Sequence, residues 1–231
     1  MAEGLASHGA RVCIVSRDEE KARRTAEAIA RRTGSECLPA TVDLASETSV
    51  AELGTTLGRL FDGRLNIAVN SGGINIRNPI DRIALAEWET VQRVNITGAF
   101  LFARTVYRLL KASEWGRLIH VASIFGSRSF AGRTSYASSK GALLQLTRTL
   151  AIEWAPEGVT VNAISPGPFM TEIMRPVLSD PQRSEEFRRR IPLGRFGDPR
   201  EVVTAALFLA SPQSSYVTGA NILVDGGWTA S

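Results

Sequence analysis

The sequence is poor in cysteine and contains no long apolar stretch. Only Cys13 and Cys37 occur among its 231 residues, which is too few for a disulfide framework and typical of a reducing compartment. No run of about 18 apolar residues is present, so we expect no membrane-spanning helix. Residues 1–8 have neither a basic head nor an apolar core, so they do not read as a signal peptide. These features favour a cytoplasmic protein without a membrane partner.

Lysine is also rare, since three lysines stand against 24 arginines in a chain of net charge +4. The arginines are spread along the chain, and no basic block is interleaved with aromatic residues. We therefore expect a solvated basic surface and no nucleic-acid partner. With two histidines and two cysteines, the sequence predicts no metal site.

Short β-branched runs alternate with longer helical stretches along the chain. The predicted strands are Arg11–Val15, Cys37–Thr41, Asn66–Val69, Arg117–Ser123, Thr160–Ile164 and Asn221–Val224. The predicted helices are Asp18–Thr33, Ser46–Phe61, Glu87–Lys111, Ser135–Ala155 and Pro199–Ala210. Most strand candidates are continuous apolar runs, as expected for strands covered on both faces. This alternation predicts an α/β fold with a doubly wound, Rossmann-like parallel sheet, in one domain spanning residues 1–231.

The beginning of the sequence departs from that fold. Residues Met1–His8 have a helical pattern, Gly9 suits a helix C-cap, and the strand Arg11–Val15 follows directly. A dinucleotide-binding fold opens instead with a strand and a glycine-rich turn, after which a helix N-terminus meets the pyrophosphate. We therefore expect an N-terminally truncated sheet lacking that strand and turn, at least about 15 residues. Because the strand belongs in mid-sheet, two strand edges would be left unpaired.

The most informative residues are Tyr136, Lys140 and Ser123. Tyr136 and Lys140 lie four residues apart on one predicted helix and project from the same face. The lysine charge favours the phenolate, whose ordinary pKa of about 10 makes it a poor acid-base catalyst at neutral pH. Ser123 ends a predicted strand, and open α/β sheets bind ligands at the carboxyl ends of their strands. A hydroxyl, a phenol and an ammonium at one point suit hydride chemistry at a carbonyl.

Four further segments complete a recognisable order. They are Val69–Ile74, Val94–Gly98 with Asn95, Pro166–Thr171 and Val224–Gly227. Together with Ser123, Tyr136 and Lys140, they make the whole chain resemble the short-chain dehydrogenases/reductases. Ser71 and Gly72 stand where that family usually has Asn-Ala, which is a mild departure. In its overall sequence pattern the chain is similar to 3-oxoacyl-carrier-protein reductases and gluconate 5-dehydrogenases.

The resemblance implies four catalytic residues. Tyr136 would give its proton to the substrate oxygen in reduction, and Lys140 would lower the pKa of Tyr136 and bind the nicotinamide ribose. Ser123 would donate to the substrate oxygen, and Asn95 would hold a water that relays protons to Lys140. A purely structural role stays open for two of them: Ser123 as a strand cap, and Asn95 as a satisfied polar residue of an apolar helix. His120 reads as core filler.

The resemblance also implies a nicotinamide dinucleotide, and the residues after the first predicted strand bear on which one. An NAD enzyme usually has an acid there, whereas this chain has Ser16 and Arg17. A guanidinium suits a 2′-phosphate, so we expect NADP(H) rather than NAD(H); the alternative is a surface arginine. The other implied cofactor-binding residues are Asp43, Leu44, Asn70, Ser71, Gly72, Tyr136, Lys140, Pro166, Gly167 and Thr171.

The sequence leaves the substrate open. In the resembling family, the segment equivalent to Phe169–Arg195 is a mobile lid. Its apolar residues with helical spacing are Met170, Ile173, Met174, Val177 and Leu178. The run Arg188–Arg190 would either steer an acidic substrate or an acyl carrier, or form a solvated helix face. The segment Asn75–Pro79 carries Arg77 and leans towards sugar acids.

Two functions remain open from the sequence. The first is an NAD(P)(H)-dependent oxidoreductase that interconverts a small-molecule carbonyl and a secondary alcohol, with Tyr136 as acid/base. The second is a non-catalytic scaffold or interaction partner, which would be the truncated form acting as it stands. We favour the first, because a sheet that lacks a middle strand should be unstable. We also expect a homo-oligomer, a dimer or a tetramer, because two predicted helices carry surplus apolar residues and pair across a two-fold axis in the resembling family. Those residues include Phe100, Leu101, Leu143 and Leu146.

Overall fold

The computed structural model describes residues 1–230, except for the side chain of Ile173. The strands are β1 (Val12–Ser16), β2 (Cys37–Thr41), β3 (Ile67–Asn70), β4 (Gly116–Val121), β5 (Val159–Pro166) and β6 (Asn221–Val224). The helices are α1 (Ala2–Ser7), α2 (Glu19–Thr33), α3 (Glu47–Leu60), α4 (Leu85–Gln92), α5 (Gly98–Lys111), α6 (Thr134–Trp154), α7 (Arg175–Leu178), α8 (Pro181–Arg189) and α9 (Val202–Ala210). The strand pairs are parallel, which confirms the predicted α/β class.

The strands form two parallel sheets rather than one. β1 pairs with β2, from Val12 opposite Cys37 to Ser16 opposite Thr41. The larger sheet has the order β3-β4-β5-β6. Within residues 1–230, β1 and β3 each have one strand neighbour, and the break between them falls where the sequence predicts a strand to be lacking. The single-domain organisation stays a prediction.

Helices cover both faces of the larger sheet. Leu118 of β4 belongs to a buried cluster with Leu53 of α3 and Val106 of α5. Its neighbour Ile119 points the opposite way and belongs to a second cluster with Leu209 of α9. Full burial of side chains of this size stabilises the fold by about 1.5–3 kcal/mol each. The arrangement is therefore doubly wound, as predicted.

One predicted helix is interrupted. The stretch predicted as Glu87–Lys111 consists of α4, a π-helical turn at Arg93–Thr97, and α5. A Cβ added at Gly98 would lie 2.7 Å from the backbone oxygen of Leu44, so the loop after β2 packs directly on the start of α5. Such π-turns are often found at functional sites, and this one contains Asn95.

Candidate active site

Tyr136 and Lys140 lie on the first turns of α6, where they meet the carboxyl end of β4. Lys140 is 3% exposed, and its Nζ donates to the backbone oxygen of Val121, the last residue of β4, at 2.8 Å. The same Nζ lies 5.7 Å from the centroid of the Tyr136 ring. The face shared by these two residues is therefore turned towards the end of the strand.

Ser123 lies two residues beyond β4, so its predicted place inside the strand is wrong. It is the N-cap of a short 3-10 turn at Ile124–Gly126, and its Oγ accepts from the Phe125 N–H at 3.2 Å. The chain turns here because the cap offers its backbone an alternative to the sheet. The hydroxyl nevertheless interacts with the Tyr136 phenol. Ser123 thus combines the plainer role of a cap with a place beside the candidate acid.

The electrostatics of Tyr136 differ from the expectation. Burial raises the pKa of Tyr136, whereas a hydrogen bond with Ser123 and the positive charge of Arg133 act to lower it. The sequence pointed to Lys140 as the cation that favours the phenolate. In this structure burial lowers the pKa of Lys140 to about 8, and burial outweighs the charges that favour ionisation of Tyr136. The phenol is therefore held protonated at neutral pH.

Asn95 ties the π-turn to two neighbouring segments. Its Oδ1 accepts from the Ile74 N–H at 2.8 Å, while its Nδ2 donates to the Ile74 oxygen and to Ser139 Oγ at 2.9 and 3.0 Å. Ser139 in turn donates to the backbone oxygen of Tyr136 at 2.8 Å. The side chain is thus a satisfied polar group, and it fixes the loop after β3 against the helix that carries Tyr136.

The residues after β3 form a surface that approaches Lys140 closely. Asn70 is buried, and its Oδ1 accepts from the Gly72 N–H at 3.2 Å, whereas Ser71 is exposed. A Cβ at Gly73 would lie 3.5 Å from Nζ of Lys140. Bare backbone therefore lines the space beside the ammonium, which fits the close approach of a ribose and nicotinamide.

The loop after β2 meets this surface. A Cβ at Gly72 would lie 2.3 Å from Cδ1 of Leu44, so the predicted residues Leu44 and Gly72 are in contact. Asp43 uses its Oδ1 to accept from the Ala45 N–H at 2.9 Å, which shapes its own loop. The structure thus brings the predicted adenine-side residues next to the turn after β3.

Ser16 and Arg17 lie at the carboxyl end of β1. Ser16 Oγ accepts from the Asp18 N–H at 3.2 Å, and Asp18 caps α2 through the Lys21 N–H. Arg17 is exposed, and no ion pair of its guanidinium is recorded in the described part of the chain. Its charge is therefore available to a ligand anion.

The predicted residues after β5 form the opposite wall. β5 ends at Pro166, and the Gly167 N–H donates to the Val224 oxygen at 2.9 Å. A side chain at Gly167 would collide with Asp225, whose Cα would lie 2.7 Å from the added Cβ. Thr171 is exposed, and its Oγ1 donates weakly to the Phe169 oxygen at 3.4 Å.

The predicted lid consists of a 3-10 turn at Glu172–Met174 followed by α7 and α8. Of its predicted apolar face, Val177 is buried, Met174 and Leu178 are half-buried, and Met170 is exposed. The side chain of Ile173 lies outside the described residues. Phe187 of α8 packs on Phe130 and Trp228, with ring centroids 5.8 and 5.5 Å apart.

The arginine run at the end of α8 does not face the catalytic residues as a unit. Arg188 and Arg189 both pair with Glu185 on the exposed surface of the helix, and Arg190 lies over the Phe130 ring at 4.9 Å. These contacts favour a solvated helix face over a role in steering an acidic substrate or an acyl carrier. The contacts of His120 agree with a core position, since it is fully buried and burial lowers its pKa to about 3, which keeps the ring neutral.

Sequence reasoning missed Arg133 and Phe125 as members of the site. The Phe125 ring packs edge-on against Tyr136, with centroids 6.5 Å apart, and the Arg133 guanidinium carbon lies 5.4 Å from the Phe125 centroid. A usable signal existed, because Arg133 and Tyr136 are three residues apart around a helix start. Among the described residues there is neither a cluster of potential metal ligands nor a helix long and apolar enough to span a membrane.

Comparison with known proteins gives one consistent set of relatives. Residues 1–229 match the family model described as enoyl-(acyl carrier protein) reductase. The chain is 38% identical over 227 residues to a 3-oxoacyl-(acyl-carrier-protein) reductase of Aquifex aeolicus, which covers 98% of this chain and 90% of the relative.

Solved structures are equally similar. A gluconate 5-dehydrogenase of Burkholderia cenocepacia in complex with NADP and tartrate superimposes with a TM-score of 0.95 at 35% identity, covering 100% of this chain and 89% of that one. An RhlG/NADP active-site complex of Pseudomonas aeruginosa gives a TM-score of 0.92 at 36% identity, covering 98% and 90%.

Proposed function

The chain belongs to the short-chain dehydrogenase/reductase family, and on that basis we propose that it is an NADP(H)-dependent oxidoreductase interconverting a carbonyl and a secondary alcohol. The observation that carries the proposal is the meeting of Ser123, Tyr136 and Lys140 at the end of β4. A hydroxyl donor, a protonated phenol and a buried cation are the groups that reduction of a carbonyl requires.

Tyr136 is the general acid of reduction in this proposal. Because burial raises its pKa, the phenol is protonated at neutral pH and can give its proton to the substrate oxygen. Ser123 donates a second hydrogen bond to the same oxygen and fixes its position. The nicotinamide, when bound, supplies the hydride to the carbonyl carbon.

Lys140 and Asn95 support the acid. The Lys140 ammonium holds positive charge within 5.7 Å of the Tyr136 ring and faces bare backbone at Gly73, where a ribose has room to bind. Both N–H groups of the Asn95 side chain are used, so we assign the relay water to its backbone oxygen within the π-turn. Proton loss from Tyr136 is then replaced through Lys140 and that water.

The preference for NADP(H) rests on the exposed Arg17 next to Ser16. A guanidinium binds a phosphate with two parallel hydrogen bonds, whereas the acid typical of NAD enzymes would repel it. Two of the relatives above were solved with NADP, which supports the same preference. Asp43 and Leu44 at the adenine, Asn70, Ser71 and Gly72 after β3, and Pro166, Gly167 and Thr171 after β5 complete the proposed cofactor site.

The proposal is tested by NADPH oxidation, followed by absorbance, over a panel of aldehydes, ketones and oxo acids. Two forms are compared: the 231-residue chain, and an extended form in which a strand and glycine-rich turn of the dinucleotide-binding type precede Met1. Turnover that is lost in Ser123→Ala supports the proposal. Absence of turnover in both forms at saturating NADPH would instead favour the non-catalytic scaffold.

We also propose a cytoplasmic homo-oligomer, although part of the sequence argument for it is wrong. Leu101 and Leu143 are buried in the core of the single chain, at 5% and 1% exposure, so they cannot serve a contact with another copy. Phe100 and Ile152 on the same two helices are 46% and 77% exposed and offer an apolar surface. Leu146 is half-buried.

A further inference from the structure

Arg133 carries an unusual buried charge. Its side chain is 6% exposed, yet within residues 1–230 no ion pair or side-chain hydrogen bond of its guanidinium is recorded, and its recorded contact is the Phe125 ring. Arginine is seldom buried without a partner, because removing a guanidinium from water is costly unless another group replaces the lost hydrogen bonds. The burial of the Arg133 guanidinium without such a group therefore requires an explanation.

The guanidinium is part of the catalytic cluster. Phe125 joins Arg133 to Tyr136, with the cation 5.4 Å from its ring centroid and the Tyr136 ring 6.5 Å away on edge. Arg133 directly precedes α6, so its backbone is fixed by the helix that carries Tyr136 and Lys140. The cation therefore lies against the ring that packs on the candidate acid.

The charges around Arg133 have the same sign. Burial, and then the neighbouring Arg77, lower the pKa of Arg133 to about 10, and the charge of Arg183 on α8 acts in turn on Arg77. Arg183 itself is paired with Asp180 at 3.3 Å. Three segments thus bring positive charge to one place, namely the loop after β3, the start of α6 and the lid.

We propose that Arg133 binds a carboxylate carried by the substrate, so that the protein acts on oxo acids and hydroxy acids in preference to neutral carbonyl compounds. The proposal rests on the proposed function, since it names the substrate class of the same site. A carboxylate would supply the missing acceptor of the Arg133 guanidinium through two parallel hydrogen bonds.

The test uses the extended form and compares straight-chain oxo acids with their methyl esters, which share the reacting carbonyl but lack the charge. For the wild type, kcat/KM should favour the acid of the best pair by about 10- to 150-fold, the range of one charge-assisted hydrogen bond. Arg133→Met should remove that preference by slowing the acid much more than the ester, since both substrates lose the charge of Arg133 near Tyr136 but only the acid loses its carboxylate partner. Arg133→Lys should restore part of the preference. Arg189→Met, which deletes an exposed arginine of the same lid, should behave as the wild type.

Equal turnover of acids and esters by the wild type, or equal slowing of both by Arg133→Met, would overturn the proposal. A loss of NADPH affinity in Arg133→Met, measured by fluorescence titration, would also overturn it, because the anion at Arg133 would then be a cofactor phosphate. Absence of turnover with every compound would count against the proposed function and leave the binding readout to decide the role of Arg133.

That binding readout is thermal unfolding. An oxo acid should raise the melting temperature of the wild type, because a ligand bound to the folded state alone stabilises it, and should leave Arg133→Met unshifted. Without ligand, Arg133→Met should melt at the same temperature as the wild type or higher, since a buried unpaired charge is removed. A lower melting temperature without ligand, combined with an acid shift equal to that of the wild type, would assign Arg133 a structural role only.

Discussion

Replacing Lys140 by methionine should stabilise the folded protein at neutral pH although it removes a proposed catalytic residue. Lys140 is 3% exposed, and burial lowers its pKa from 10.5 to about 8. Because a tenfold change in an equilibrium constant is about 1.4 kcal/mol, this difference corresponds to a destabilisation of about 3 kcal/mol by the charged lysine. Loss of the hydrogen bond to the Val121 oxygen offsets about 1 kcal/mol of the gain.

The pH dependence isolates the charge from the hydrogen bond. Below pH 8 both the folded and the unfolded chain hold the proton on Lys140, so the full destabilisation is present. Between pH 8 and pH 10.5 the unfolded chain binds more protons than the folded one, so the stability of the wild type rises with pH relative to the variant. We expect the difference between the two proteins to change by about 2–3 kcal/mol from pH 7 to pH 10.

Urea unfolding of the wild type and of Lys140→Met across this pH range measures the effect. Lys21→Met, which removes an exposed lysine of α2, serves as the control and should follow the wild type at every pH. A difference between wild type and Lys140→Met that does not change with pH would refute the claim that burial sets the protonation of Lys140.

Three further predictions concern the cofactor and assembly. In the extended form, Arg17→Ala should weaken NADPH binding by about 1.5–3 kcal/mol and NADH binding much less, as measured by fluorescence titration. Arg31→Ala, at the far end of α2, should change neither affinity, and equal losses for both cofactors would make Arg17 a surface residue. The 231-residue chain should bind NADPH poorly and the extended form tightly, because backbone N–H groups of a glycine-rich turn hold the pyrophosphate; micromolar affinity of the 231-residue chain would contradict this. Light scattering at tens of micromolar should give a dimer or tetramer that Phe100→Glu weakens, and a stable monomer would count against the exposed α5 and α6 surface as an interface.

Much of the fold could be predicted because its signals are local. Apolar runs and caps placed the strands and α2, which ends at Gly34 with a positive φ of 72°, typical of a glycine C-cap. The spacing of Tyr136 and Lys140 placed both on α6, facing β4. Such features depend on residues close in sequence, so the sequence reports them directly.

The misses depend on contacts between distant residues. The π-turn at Arg93–Thr97 is invisible in a continuous helical pattern, because Asn95 is drawn to Ile74 and Ser139. In the sequence, Leu101 and Leu143 are apolar residues beyond those that one sheet face needs. In the structure, the core of the single chain covers both. Arg133 was missed because its burial requires Phe125, which comes from the turn after β4. In each case the packing partner, rather than the residue itself, decides the role.

The most direct test of the central claim is the turnover of Tyr136→Phe, made in the extended form, with NADPH and the best carbonyl substrate. The variant keeps the ring that packs on Phe125 and loses only the phenol oxygen, so its fold and its NADPH affinity should be unchanged. Its kcat should fall by about 10²–10⁴-fold, at the upper end because the phenol also orients the substrate oxygen. Full activity of Tyr136→Phe would contradict the assignment of Tyr136 as the acid-base group.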